Sequence, residues 1–324
     1  MTTGLARALG TALWPALVAI VALSGVIGIW ALLAPPQQRS SAYGLAVLTA
    51  TALAAASLWR PARRAAGRLL PIDAESGLDA TALILVVILI GFLLGNQLSA
   101  DVLAQQAASG PALGPLDVVG QELPFLVAAF LGVGLFTRRS LPGSLARLGL
   151  VRPAPWQVCL ALAAAGLFLA FSGGVEALSQ LLTPRLAERV EVANQRLFGR
   201  LGDPLGIATI ALAAGVCEET LFRGALQPRL GIPLTSLAFA AVHAQYGLSL
   251  DLLAVFVLAL GLAALRRLAN TTTAIVCHVT YNGLVGVGIG QRWLVVAVLG
   301  EAMLILLTAA SFLTTRVGGR RFAK

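Results

Sequence analysis

Residues 80–98 read Ala-Thr-Ala-Leu-Ile-Leu-Val-Val-Ile-Leu-Ile-Gly-Phe-Leu-Leu-Gly-Asn-Gln-Leu. The run carries no charged side chain and shows no alternation of polar with apolar positions. A helix needs about 20 apolar residues to cross the hydrocarbon core of a bilayer, and this run meets that length. A half-buried strand would alternate, and a membrane β-barrel strand would be about half as long. Helix is the element left, because its backbone polar groups satisfy one another inside lipid.

The same pattern recurs along the chain, at about 11–34, 42–59, 118–136, 156–182, 206–226, 232–247, 250–265, 271–289 and 293–314. These runs with 80–98 predict an all-α, polytopic integral membrane protein of about ten transmembrane helices. The first run is longer than the apolar stretch of about 7–15 residues in a secretion signal, so it is read as a retained helix. Composition agrees. Hydrophobic residues make up 58% of the 324, charged residues 11%, and mean hydropathy is +0.88. A soluble domain carries about 25% charge. Soluble, disordered and disulfide-stapled classes are excluded, the last by only 3 Cys. Two regions are expected: 1–155, N-terminal helices without an assigned role, and 156–324, holding the candidate catalytic core at about 204–290.

The net charge of +9 reads as membrane orientation, with no nucleic-acid partner implied. With ten spans and the N-terminus inside, Arg60, Arg63, Arg64, Arg68, Arg138, Arg139, Arg147, Arg152, Arg266, Arg267 and the arginines near the C-terminus fall on one side. The positive-inside bias makes that side cytoplasmic and places both termini there. One segment dissents: 183–203 carries Arg185, Arg189, Arg196 and Arg200 on the opposite side, among Glu188, Glu191 and Asp203. Two readings stay open for it: an amphipathic helix at the interface, or a miscounted span upstream.

Ionisable groups inside a bilayer are costly and mark function by default. The densest group is Cys217-Glu218-Glu219-Thr220-Leu221-Phe222-Arg223. Glu219 and Arg223 are four apart and can pair on one helix face. Glu218 points about 100° away and is left free to act as a general base. The 2 His of the chain follow, each inside an apolar run. Phe239 and His243 share a helix face, as do His278 and Asn282. At 1.5 Å per residue, Glu218, His243, His278 and Asn282 fall in one layer of the cytoplasmic half. Cys217 and Cys277 adjoin motif residues but do not face them, and read as small packing residues. Gly91 and Gly95 form a GxxxG pair expected to serve intramolecular packing. Glu122 and Asp117 are read as interfacial, and Glu301 as lining a cavity or pairing across helices.

Glu218-Glu219-x-x-x-Arg223, Phe239-x-x-x-His243 and His278-x-x-x-Asn282, in this order on successive apolar runs, resemble the motifs of the CPBP family. These are the type II CAAX prenyl protease and bacteriocin-processing (Abi) proteins, intramembrane glutamate endopeptidases. The resemblance covers about 204–290. It implies peptide-bond hydrolysis without a cofactor or metal. Glu218 and His243 would activate water, and His278 and Asn282 would stabilise the oxyanion. Glu219, Arg223 and Phe239 would support the site. The implied substrate is a membrane-embedded or lipid-anchored peptide or protein, and the expected location is the plasma (inner) membrane of a prokaryote. Three other readings fit the residues: a non-catalytic scaffold or bacteriocin-immunity factor, a metal-dependent protease using Glu and two His as ligands, and a transporter with a proton relay.

Overall fold

The computed structural model describes residues 2–35, 38–288 and 294–321. Among the described residues the chain is helical throughout, with no named strand.

The N-terminal helices are α1 (Thr2–Leu33), α2 (Ser41–Leu58), the short α3 (Arg60–Ala66) and α4 (Gly77–Ser99). α1, α2 and α4 pack against one another. Lipid is as apolar as leucine, so close backbone approach and dispersion hold such helices together. Gly91 and Gly95 provide that approach: a β-carbon at Gly91 would run into Ala50, and one at Gly95 would sit 3.0 Å from the Tyr43 ring. The GxxxG pair therefore serves α2–α4 packing within the chain. α4 also turns a face to the rest of the molecule, where Leu83 and Val86 join Phe222, Leu230, Phe239 and Ala259 in one buried cluster.

Next come α5 (Val102–Ala107), α6 (Pro115–Gly132), α7 (Leu141–Leu148), α8 (Pro155–Leu182) and α9 (Pro184–Phe198). α10 (Pro204–Glu219), a π-helical turn (Thr220–Leu226) and α11 (Gln227–Val242) follow one another directly. The runs expected as separate spans at 206–226 and 232–247 are both helical over most of their length, with a break between them. The break between them is a kink at Gly231, where φ is +76° and Pro233 follows. Only glycine adopts that backbone without strain. α12 (Leu250–Leu268), α13 (Thr271–Val287) and α14 (Leu294–Arg321) complete the chain.

Each of the ten apolar runs is helical over most of its described length. Among the described residues, six stretches are long and apolar enough to cross a membrane: Ala12–Leu33, Ser41–Leu58, Gly77–Ser99, Pro115–Gly132, Pro155–Leu182 and Pro204–Val242. α12 and α13 fall short of that measure for a physical reason. α12 carries Asp251, Arg266 and Arg267 at its ends, and α13 has only 17 residues and includes Thr271, His278 and Asn282. Both are packed against other helices, so their polar residues have protein neighbours. Small residues fit α12 and α13 closely onto α8: Ala161, Ala165, Ala274 and Cys277 are buried together with Leu262 and Leu265. Outward faces carry exposed leucines such as Leu23, Leu53, Leu167 and Leu212, as lipid-facing helices do.

α9 forms where an amphipathic helix was expected, but its apolar face does not lie on lipid. Ala187, Val190 and Ala193 are buried, and Val190 and Ala193 pack with Leu103 of α5 and Tyr246. Arg189 pairs with Asp101, and Arg196 donates to the Ser109 carbonyl at 3.0 Å. α5 and α9 thus pack directly on each other.

Candidate active site

Several elements meet at one point, and each is fixed locally. α10 starts on Asp203, whose side chain accepts from the Gly206 N–H at 2.7 Å, with Pro204 in the first turn. It delivers Glu218 and Glu219 at its C-terminal end. The π-helical turn then begins, with the Thr220 hydroxyl donating to the Val216 carbonyl at 2.6 Å. α13 starts on Asn270, which accepts from the Thr273 N–H at 2.9 Å while its amide donates to Gln157. α11 ends at His243, and a 3₁₀ turn, Ala244–Tyr246, follows. Gln97 of α4 donates to the Ala244 carbonyl at 2.8 Å and ties that turn down.

α10 and α13 approach closely through Gly215. A β-carbon there would lie 2.5 Å from Val279 Cγ2 and 3.0 Å from the Val279 backbone nitrogen, one residue after His278. Gly215→Ala is therefore expected to push α13 outward and carry His278 with it. A displacement of about 1 Å costs about 10²-fold in rate for a positioned catalytic group. Turnover measured beside a melting curve checks this, the chain staying folded while kcat falls.

Glu219 and Arg223 are fully buried, with Arg223 Nε 3.2 Å from Glu219 Oε2. The i,i+4 pairing expected from sequence is present even though Arg223 lies in the π turn. The guanidinium is not aligned for a hydrogen bond to that oxygen, and its carbon sits 4.6 Å from the centre of the Phe239 ring. Such a cation over an aromatic face gains electrostatically in a dry site. Phe239 also stacks on His243 at 4.6 Å and 29°, and meets Phe222 edge-on at 5.2 Å. Phe239 thus separates the buried ion pair from the His243 ring.

Glu219 Oε1 accepts from His278 Nδ1 at 3.0 Å. His243 Nδ1 donates to the Phe239 carbonyl at 2.8 Å, since a carbonyl can only accept. In each ring the second nitrogen is left facing Glu218. His243 Nε2 is 3.9 Å from Glu218 Oε1, and His278 Nε2 is 4.0 Å from Glu218 Oε2. Glu218 is 5% exposed, and its Oε2 has no hydrogen-bond partner. These separations are too long for direct hydrogen bonds and suit a bridging water or a substrate oxygen.

Glu218, His243, His278 and Asn282 all line one cavity of about 810 Å³. Asn282 lies one helical turn beyond His278 on α13. Helices α6 and α9 close other sides of the cavity, through Phe125, Glu191, Asn194 and Phe198. Among the described residues, no group of three or more His, Cys, Asp and Glu is arranged to hold a metal ion. Cys217 and Cys277 are buried free thiols, and Cys277 packs in the α8–α12–α13 core.

Glu122 departs from its sequence reading. It lines the same cavity as Glu218, and its Oε2 is buried without a partner. It lies near enough for its charge to interact with Glu218 and His278. Nothing adjacent to Glu122 in sequence marks it, because α6 meets α10 only through the fold. Glu301 stands against Gly166 of α8, where a side chain would collide with its carboxyl group. Glu176 is exposed on α8.

The fold and site define a multi-pass helical membrane protein with a buried Glu/His cluster opening on an internal cavity. Residues 201–284 match the family model described as Type II CAAX prenyl endopeptidase Rce1-like. The matched segment contains all three motifs and supports the CPBP/CAAX protease family for this region. No curated protein and no solved structure matches the chain.

Proposed function

We propose that the protein is an intramembrane endopeptidase that hydrolyses a peptide bond with a water activated by Glu218 and His243. The observation that carries this reading is the gap of about 4 Å between Glu218 and the outer nitrogens of both histidines, on the wall of one shared cavity.

Water held in that gap gives one proton to Glu218 while its other hydrogen bonds to His243 Nε2, which is an acceptor because Nδ1 carries the ring proton. The oxygen adds to the scissile carbonyl carbon. Negative charge then builds on the former carbonyl oxygen, and the Asn282 amide and His278 Nε2–H donate to it. For Nε2 to donate, the His278 ring must hold both protons, and the Glu219 carboxylate against Nδ1 balances that charge. Glu218 returns its proton to the departing nitrogen as the C–N bond breaks. A carboxyl group and an amine leave the site.

The substrate is proposed to be a membrane-embedded or lipid-anchored peptide or protein, reached in the cytoplasmic half of a prokaryotic plasma membrane, with both termini of the enzyme cytoplasmic. The test compares protein termini in cells carrying the wild type or His243→Ala. A defined set of membrane-protein termini should vanish in the variant, and the purified wild type should generate those termini from the intact precursors. Identical termini in both strains would reject the proposal. Activity of the purified protein should survive a strong chelator. Loss on chelation with recovery on adding zinc would instead favour Glu218 and the histidines as metal ligands.

A further inference from the structure

A second cavity, of about 610 Å³, shares no lining residue with the first and lies where the loop after α3 meets the start of α11 and the end of α12. Its polar lining is Arg68, Arg266, Arg267 and Gln227; Leu69, Leu70 and Ile232 stand among its apolar wall residues. Leu69 is 90% exposed, as an apolar side chain meant for lipid would be.

Two polar atoms here lack partners. Gln227 is 8% exposed, and its amide nitrogen donates to the Ala263 carbonyl at 2.9 Å, but its Oε1 accepts from nothing. Arg266 Nε is buried and donates to nothing. Buried polar atoms left so are costly unless a ligand or solvent satisfies them. The surrounding charge is also one-sided. Burial holds the Arg147 guanidinium on α7 below its usual pKa, and Arg229, Arg139 and Arg266 add to that effect; Asp79 acts against it. Asp79 is already paired with Arg229. The pocket therefore lacks negative charge on one wall and a hydrogen-bond donor on another.

An anionic phosphate answers the first need and a hydroxyl the second. Apolar side chains at the opening add a place for acyl chains. We propose that this pocket binds the headgroup of an anionic phospholipid bearing a free hydroxyl, with Arg68, Arg266 and Arg267 on the phosphate and Gln227 Oε1 accepting from the hydroxyl. Basic pockets between transmembrane helices on the cytoplasmic side suit such headgroups. Gln227 is the first residue of α11, directly after the π-helical turn, so the lipid would brace the join between the two catalytic helices. The assignment does not depend on the proposed protease chemistry.

The test uses the full chain in detergent, stripped of lipid and then titrated with phosphatidylglycerol, with phosphatidylcholine of matched chains, or with inorganic phosphate. Thermal stability and retention of lipid in native mass spectrometry are read together. Phosphatidylglycerol should stabilise at a concentration at least about tenfold below phosphatidylcholine, and millimolar phosphate should give only a small fraction of the shift. Arg68→Gln with Arg267→Gln should remove that tenfold preference, whereas Arg138→Gln, an exposed arginine outside the pocket, should keep it. Arg68→Gln alone, on an exposed loop, should weaken the preference severalfold in a chain that melts normally. Equal response to the two lipids, or an unchanged preference in the pocket variants, overturns the proposal. A full shift with phosphate alone overturns the lipid in favour of a free anion.

Discussion

Glu218→Gln is expected to lower kcat for peptide cleavage by about 10²–10⁴-fold, the usual contribution of a positioned general base. The amide matches the carboxylate in shape but cannot take a proton from water. Glu218 Oε2 is buried and unpartnered in the native chain, so replacing the charge also removes a desolvation cost. The variant should consequently melt no lower than the wild type, and substrate should still enter the cavity with little change in KM. That combination, lost turnover in a sound fold, separates a chemical role from a packing one. Activity within a few-fold of wild type would sink Glu218 as the base and return the site to the scaffold or transporter readings.

Arg223→Met should be the most destabilising single change in the site, by about 3–5 kcal/mol, as for other buried ion pairs broken from one side. It leaves the Glu219 carboxylate at 0% exposure with His278 Nδ1 as its hydrogen-bond partner and removes the cation from the Phe239 face. Replacing both partners, Glu219→Leu with Arg223→Met, should recover much of that stability, because no uncompensated charge remains. Cleavage should stay low in the double variant, since His278 then has no carboxylate to orient it. A double-mutant cycle on melting temperature, run beside turnover, reads both effects. Additive losses in stability would mean that the two side chains do not act as a pair.

Much of this site is visible in the residues themselves. Scarcity of charge in apolar helices picks out Glu218, Glu219, Arg223, His243 and His278, and helical spacing pairs them correctly. The expected nearness of these groups is also met in the fold, where Glu218 lies about 4 Å from both histidines. What the spacing cannot supply is contact between helices distant in sequence. Glu122 joins the cavity because α6 leans on α10, and α9 buries its apolar face because α5 lies beside it rather than lipid. The π-helical turn is equally hidden, since no residue pattern over Thr220–Leu226 announces it. Apolar length alone does not fix the number of spans for a related reason, because helices that carry the polar site pack against protein and need not be apolar throughout.

The hydrogen bond from Gln97 to the Ala244 carbonyl has a consequence for dissecting the chain. It anchors the turn beside His243 to a helix more than a hundred residues upstream (Gln97 to Ala244), well outside the segment that carries the motifs. Phe125 and Glu122, which complete the cavity, are likewise outside it, and so are Leu83 and Val86, which back Phe239. The smallest unit able to hold this site is accordingly larger than the stretch by which it is recognised. A shortened version bounded by the motifs would keep every candidate catalytic side chain and lose the walls that confine a peptide among them.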